Sequence, residues 1–137
     1  MNTITDHFFG ELNIDHDQLT DTFLLDKKIK IGERDGTVVL SIESDKDSAS
    51  AKQVALFKII EKDFPEIWKS MIDFLANEKK YSTVATLEKN YKLASITLLK
   101  SADTNPWEME LLNSKDEFLS VLIEFEGSLP VDFSTEV

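Results

Sequence analysis

Four stretches in the last third of the chain alternate apolar and polar residues: 91-YKLASITLLK-100, 107-WEMELLN-113, 118-FLSVLIEFE-126 and 130-PVDFST-135. A period of two sends successive side chains to opposite faces of a strand. Four such strands in tandem demand a sheet with one covered face, and this limits the possible folds more than any other feature. The N-terminal part carries the same signal. In 8-FFGELNI-14, Phe8, Gly10, Leu12 and Ile14 fall on one face and Phe9, Glu11 and Asn13 on the other. The segment 22-TFLLDKKIKIG-32 is apolar at its start and then alternates Ile29 and Ile31 with lysines. Asp35-Gly36 tolerates the positive φ of a hairpin turn, and 37-TVVLSIES-44 returns with Val38, Leu40 and Ile42 together.

The cover is supplied by the middle of the chain. Ser50 and Gln53 have capping-box spacing ahead of 51-AKQVALFKIIEKDF-64. Pro65 disfavours a helical residue before it and suits a first helical position, so a second helix starts there or one long helix kinks. In 65-PEIWKSMIDFLANEKK-80, the positions of Trp68, Met71, Ile72 and Leu75 make one buried stripe. Residues 82–90 read as a strand or as a loop. The predicted fold is α+β, a single domain over 1–137. Its mostly antiparallel sheet runs in β-β-β-α-α-β-β-β-β order, with two helices packed on one face.

Parity then sets the faces. For Trp107, Met109 and Leu111 to share a core with Leu119, Val121, Ile123 and Phe125, pairing must match odd with odd. A three-residue loop at 114–116 pairs Leu111 with Leu119, Met109 with Val121 and Trp107 with Ile123. A loop at 127–129 pairs Phe125 with Val131 and Ile123 with Phe133, and it sets Glu124 opposite Asp132. Phe118, in the other parity set, is expected at a strand end or covering an edge. The opposite face collects Glu108, Glu110, Glu124, Glu126, Asp132 and Glu136 with Ser120, Leu122 and Ser134, and no lysine from these strands. Like charges opposed across a ladder destabilise it. The carboxylates are therefore candidate partner-binding groups, unless Lys92, Lys100 or helix lysines neutralise them. Trp107 is a candidate anchor for a partner, and equally a candidate core residue.

Charge agrees with a binding surface of one sign. The net charge is −11. Residues 1–26 carry six acids and no base, 27–100 carry 11 acids and 14 bases, and 101–137 carry nine acids against Lys115 alone. Such a chain repels nucleic acid and anionic membranes and suits a basic partner, although acidity also serves solubility. Cysteine is absent, which removes disulfides and thiolate chemistry. His7 and His16 lack ligand spacing and a third histidine, and clustered carboxylates on a flat face spread rather than converge. No phosphate-binding, nucleophile-elbow, zinc-protease or calcium-loop motif is present. No metal, cofactor or catalytic residue is expected. The N-terminus lacks the pattern of a secretory signal, and a cytoplasmic protein is expected.

The opening HFFGELNI, the hairpin KIKIGERDGTVVLSI, the amphipathic KQVALFKIIEKDFPEIWKSMIDFL and the C-terminal strand meander together resemble small bacterial immunity proteins. These belong to polymorphic-toxin and contact-dependent growth inhibition systems. The resemblance implies a non-enzymatic protein that binds and blocks a cognate toxin domain, often a basic nuclease. Functional residues vary within the family, so it assigns none here. Two other classes stay open: a small enzyme or ligand-binding module, which would show a deep polar pocket with convergent groups, and an acidic mimic of nucleic acid.

Overall fold

The computed structural model describes residues 2–32, 36–77, 84–100, 104–114 and 120–136, with the side chains of 84–86 and 136 outside that set. Among the described residues the order is β1 (Thr3–Asp6), β2 (Gly10–Asp17), β3 (Thr22–Ile29), β4 (Val38–Ser44), α1 (Ala51–Lys62), α2 (Phe64–Asn77), α3 (Val84–Asn90), β5 (Tyr91–Leu98), β6 (Pro106–Asn113), β7 (Ser120–Glu126) and β8 (Leu129–Glu136). The strands lie side by side in chain order in one eight-stranded sheet. All neighbours are antiparallel except β4 and β5. A parallel pair needs a crossover, and the three helices provide it.

The fold is α+β as expected, with two additions. The first is β1. Asp6 Oδ1 accepts the N–H groups of Phe8 and Phe9 at 2.8 and 3.0 Å, which closes a turn over 7–9. Gly10, at φ +75°, then starts β2. This turn breaks the alternation expected from Phe8 onward, so Phe9 is buried and Phe8 is 42% exposed. The second is α3, where a strand or loop was expected. Its Leu87 is buried.

The helices form where their caps and stripes place them. Ser50 and Gln53 make the reciprocal capping box. The chain breaks at Asp63, and Phe64 opens the second helix with Pro65 in its first turn. Trp68, Met71, Ile72 and Leu75 are buried against the sheet, as their spacing predicts. The Gln53 amide is buried as well. Its Nε2 donates to the carbonyls of Glu43, near the end of β4, and of Leu99, just past β5, at 2.6 and 2.8 Å. Gly32 has φ +61°, and a Cβ built there would lie 3.0 Å from the Phe64 ring.

Each strand from β2 to β7 buries residues on one face. Leu12, Leu25, Leu40, Ile42, Ile96, Leu98, Met109, Leu111 and Ile123 have no accessible surface. On β5 a register shift between Leu93 and Ser95 lets odd-numbered Leu93 and even-numbered Ile96 and Leu98 all face the core.

The β6–β7 register differs from expectation by two residues. Trp107 pairs with Phe125, Met109 with Ile123 and Leu111 with Val121. A shift of two keeps every side chain on its face, so parity could not separate the two registers; loop length does. Between β7 and β8, Ile123 pairs with Phe133 and Glu124 with Asp132, as expected. Past Glu124 the register slips, Phe125 pairs with Pro130, and the turn tightens to Gly127-Ser128. The expected Phe125–Val131 pair is thus replaced, and Val131 is exposed. Phe118 lies outside the described residues.

Candidate functional site

The helices cover one face of the sheet, and among the described residues no element covers the other. Across the open face the registers connect one residue from each strand into a continuous row: Thr3, Asn13, Asp26, Ser41, Thr97, Glu108, Glu124 and Asp132. The row is polar throughout and contains no base. Residues facing one another in a ladder share a face, so these side chains project together. Glu108 stands opposite Glu124, and Glu124 opposite Asp132.

The electrostatics follow from that placement. Partial burial pushes the Glu108 carboxyl up from its ordinary range, and the charges of Glu124 and Glu43 push it further in the same direction. Among the described residues no basic group lies within ion-pair distance of Glu108, Glu124 or Asp132. Two lysines share the open face by register, Lys28 opposite Val39 and Lys92 opposite Leu112, but neither stands in the row of Glu108. Lys100 Nζ is 2.9 Å from Asp45 Oδ1. Lys92 lies across from Leu112, four residues along β6 from Glu108, or about 13 Å at the usual rise per strand residue. Asp132 relieves part of the crowding, since its Oδ1 accepts the N–H of Phe133 at 2.8 Å.

The sequence-derived set divides accordingly. Glu108, Glu124 and Asp132 are brought together. Glu110 is on the same face one row away, between Ser95 and Leu122. Glu126 is exposed at the β7–β8 turn, opposite Leu129. Glu136 pairs with Ser120 through the backbone, and its side chain is not among those described. Trp107 is no anchor for a partner. It has no accessible surface, stacks on Phe125 with ring centroids 4.1 Å apart, and donates from Nε1 to the Gly127 carbonyl at 2.6 Å. The apolar parity that put it with Met109 and Leu111 is the reason.

Sequence reasoning missed Glu43. Its alternation with Leu40 and Ile42 does place it on the open face. Its proximity to Glu108 depends on β4 lying beside β5, and no local pattern announces a parallel neighbour.

Exposed and partly buried apolar side chains flank the acids. Val39 is 38% and Leu24 39% exposed, and Leu122 is partly buried. A separate cavity of about 270 Å³ lies where β4 meets α1, lined by Ser44, Lys46, Ser48, Gln53 and Lys100 among others. Several of its polar groups already satisfy one another. The Ser44 hydroxyl donates to the Ser48 carbonyl, Lys100 pairs with Asp45, and Gln53 is spent on the backbone. Among the described residues no group of three or more metal-ligating side chains converges. No described helix is long and apolar enough to cross a membrane. Comparison with protein-family models, curated proteins and solved structures finds no match for the chain.

Proposed function

We propose that this protein is a non-enzymatic binding protein that docks a basic protein domain on the open face of its sheet. Its role would be that of an immunity protein blocking a cognate toxin domain in the cytoplasm of the protected cell. One observation carries the reading: Glu108, Glu124 and Glu43 crowd together with no ion pair to offset them among the described residues, at a cost to the sheet. A charge arrangement that does not help the fold is explained by a partner that supplies the missing cations. The resemblance of the sequence to small immunity proteins supports the same class of partner. The strongly acidic chain disfavours nucleic acid and anionic membranes as alternatives.

The test is co-purification with the product of the adjacent upstream gene, followed by association kinetics. Complementary charge acts chiefly on the association rate. That rate should fall steeply as the Debye length shrinks from about 10 Å at 0.1 M salt to about 3 Å at 1 M. Glu108→Gln, Glu124→Gln and Asp132→Asn together should slow association and leave the fold intact. A rate indifferent to both salt and the triple substitution would overturn the reading.

A further inference from the structure

We infer that the partner's docking element is a basic amphipathic α-helix lying across the strands. This rests on the acidic face being the interface, and it specifies what that face receives. Two neighbouring rows set the requirement. One holds Glu108, Glu124 and Asp132 on three consecutive strands. The next holds Val39 on β4 and Leu122 on β7, joined through Ser95 and Glu110. Beyond Val39 the same row ends on Lys28 of β3, outside the span from Val39 to Leu122. An occupant therefore needs a line of cations and, beside it, two apolar groups three strands apart that straddle Ser95 and Glu110.

Spacing decides which backbone can supply both. Adjacent strands are about 4.8 Å apart, so the three carboxylates repeat at about that interval. A helix repeats a side chain on one face about every 5.4 Å, and positions i, i+4 and i+7 reach all three strands. An extended chain repeats on one face about every 6.8 Å and falls out of step by the third strand. Val39 and Leu122 are three strands apart, about 14 Å, or roughly ten residues of helix. The two rows are about 7 Å apart along the strands, within the width of one helix.

Strand addition at β8 is the competing mode, and that edge is guarded. Pro130 has no N–H to offer, the register slips beside it, and the Phe133 N–H is already taken by the Asp132 carboxylate.

The experiment titrates the full chain at low salt with two synthetic peptides of identical composition, followed by amide chemical shifts and circular dichroism. One peptide of about 14 residues places Lys and Leu on adjoining helical stripes. The other rearranges them to alternate with period two. The helical peptide should bind at least about tenfold more tightly, a difference of about 1.4 kcal/mol. It should gain helix on binding and shift amides at Ser41, Thr97, Glu108 and Leu122. Val39→Asn and Leu122→Asn, each checked for an unchanged amide spectrum elsewhere, should erase the preference between the peptides.

Equal binding of the two peptides overturns the helix and leaves the acidic face standing. Shifts confined to the β8 backbone overturn it in favour of strand addition. Binding of either peptide that is unaffected by Glu108→Gln and Glu124→Gln overturns the acidic face itself. Failure of both peptides to bind overturns the two inferences together.

Discussion

Replacing Glu108 by Gln should make the protein more stable at neutral pH. Glu108 is paired with Glu124 and also feels Glu43, so one substitution relieves two like-charge contacts. Opposed like charges cost a few tenths to about 1 kcal/mol each, and the partial exposure of this face places the sum toward the lower end, about 0.5–1 kcal/mol. For a domain of this size that is about 2–5 °C in Tm. Glu124→Gln also relieves two opposed pairs, with Glu108 and Asp132, but its side chain is exposed and better screened, so it should stabilise less. The double variant should gain less than the two single gains added, because both remove the same contact.

The pH dependence has a definite sign. Glu108 is raised above its ordinary value of 4.5 in the folded state. The folded chain therefore holds a proton where the unfolded chain has lost it, and stability falls as pH rises through that window. The advantage of Gln should be full above the raised folded pKa and vanish as pH falls below about 4.5. Urea denaturation at several pH values, in low and high salt, measures all of this. A Glu108→Gln variant that is less stable than the parent at pH 7, or whose difference ignores both pH and salt, would refute the reasoning.

Asp6 should behave in the opposite sense. Burial pushes its carboxyl up, but the N–H groups of Phe9, Phe8 and Ala49 and the charge of His7 outweigh this and hold it below its usual range. Its contribution is therefore present above the unfolded pKa and lost as pH falls through the lowered folded value. Asp6→Ala should cost about 1–3 kcal/mol at pH 7, and a Tm within a degree of the parent would contradict the three bonds. Gly32→Ala should destabilise by more than about 1 kcal/mol in chemical denaturation, from the positive φ and the approach to Phe64. A neutral result there would mean that the Phe64 ring yields freely. Met71→Asp places an unpaired charge in a site without solvent access, and no cooperative unfolding transition is expected at 37 °C.

Much of this architecture is legible in the sequence because burial writes itself as periodicity. The stripe of Trp68, Met71, Ile72 and Leu75 and the capping pair Ser50–Gln53 are local signals, and they hold. The faces of β4, β6 and β7 also follow from parity. Three kinds of information were not available there. A register shift of two residues changes no face, so the partners of Met109 and Leu111 were open. A bulge changes parity without an obvious mark, as beside Leu93 and at Val131. The parallel contact of β4 with β5 joins segments about fifty residues apart, and it alone brings Glu43 toward Glu108. Glu108, Glu124 and Asp132 could therefore be placed on one face from the sequence, whereas Glu43 could not be placed beside them.

The single parallel seam has a kinetic consequence. On either side of it, each strand follows its neighbour in the chain, so each half can zip through short hairpin closures. The seam must wait for the whole helical crossover, a much larger loop to close. Gln53 is positioned as the latch on this joint, since its amide holds one carbonyl from each half. In pulse-labelled hydrogen exchange during refolding, amides within the β1–β4 and β5–β8 ladders should gain protection before those bridging β4 and β5. Gln53→Leu should speed unfolding far more than it slows refolding. If the bridging amides were protected first, the two halves would not be independent folding units.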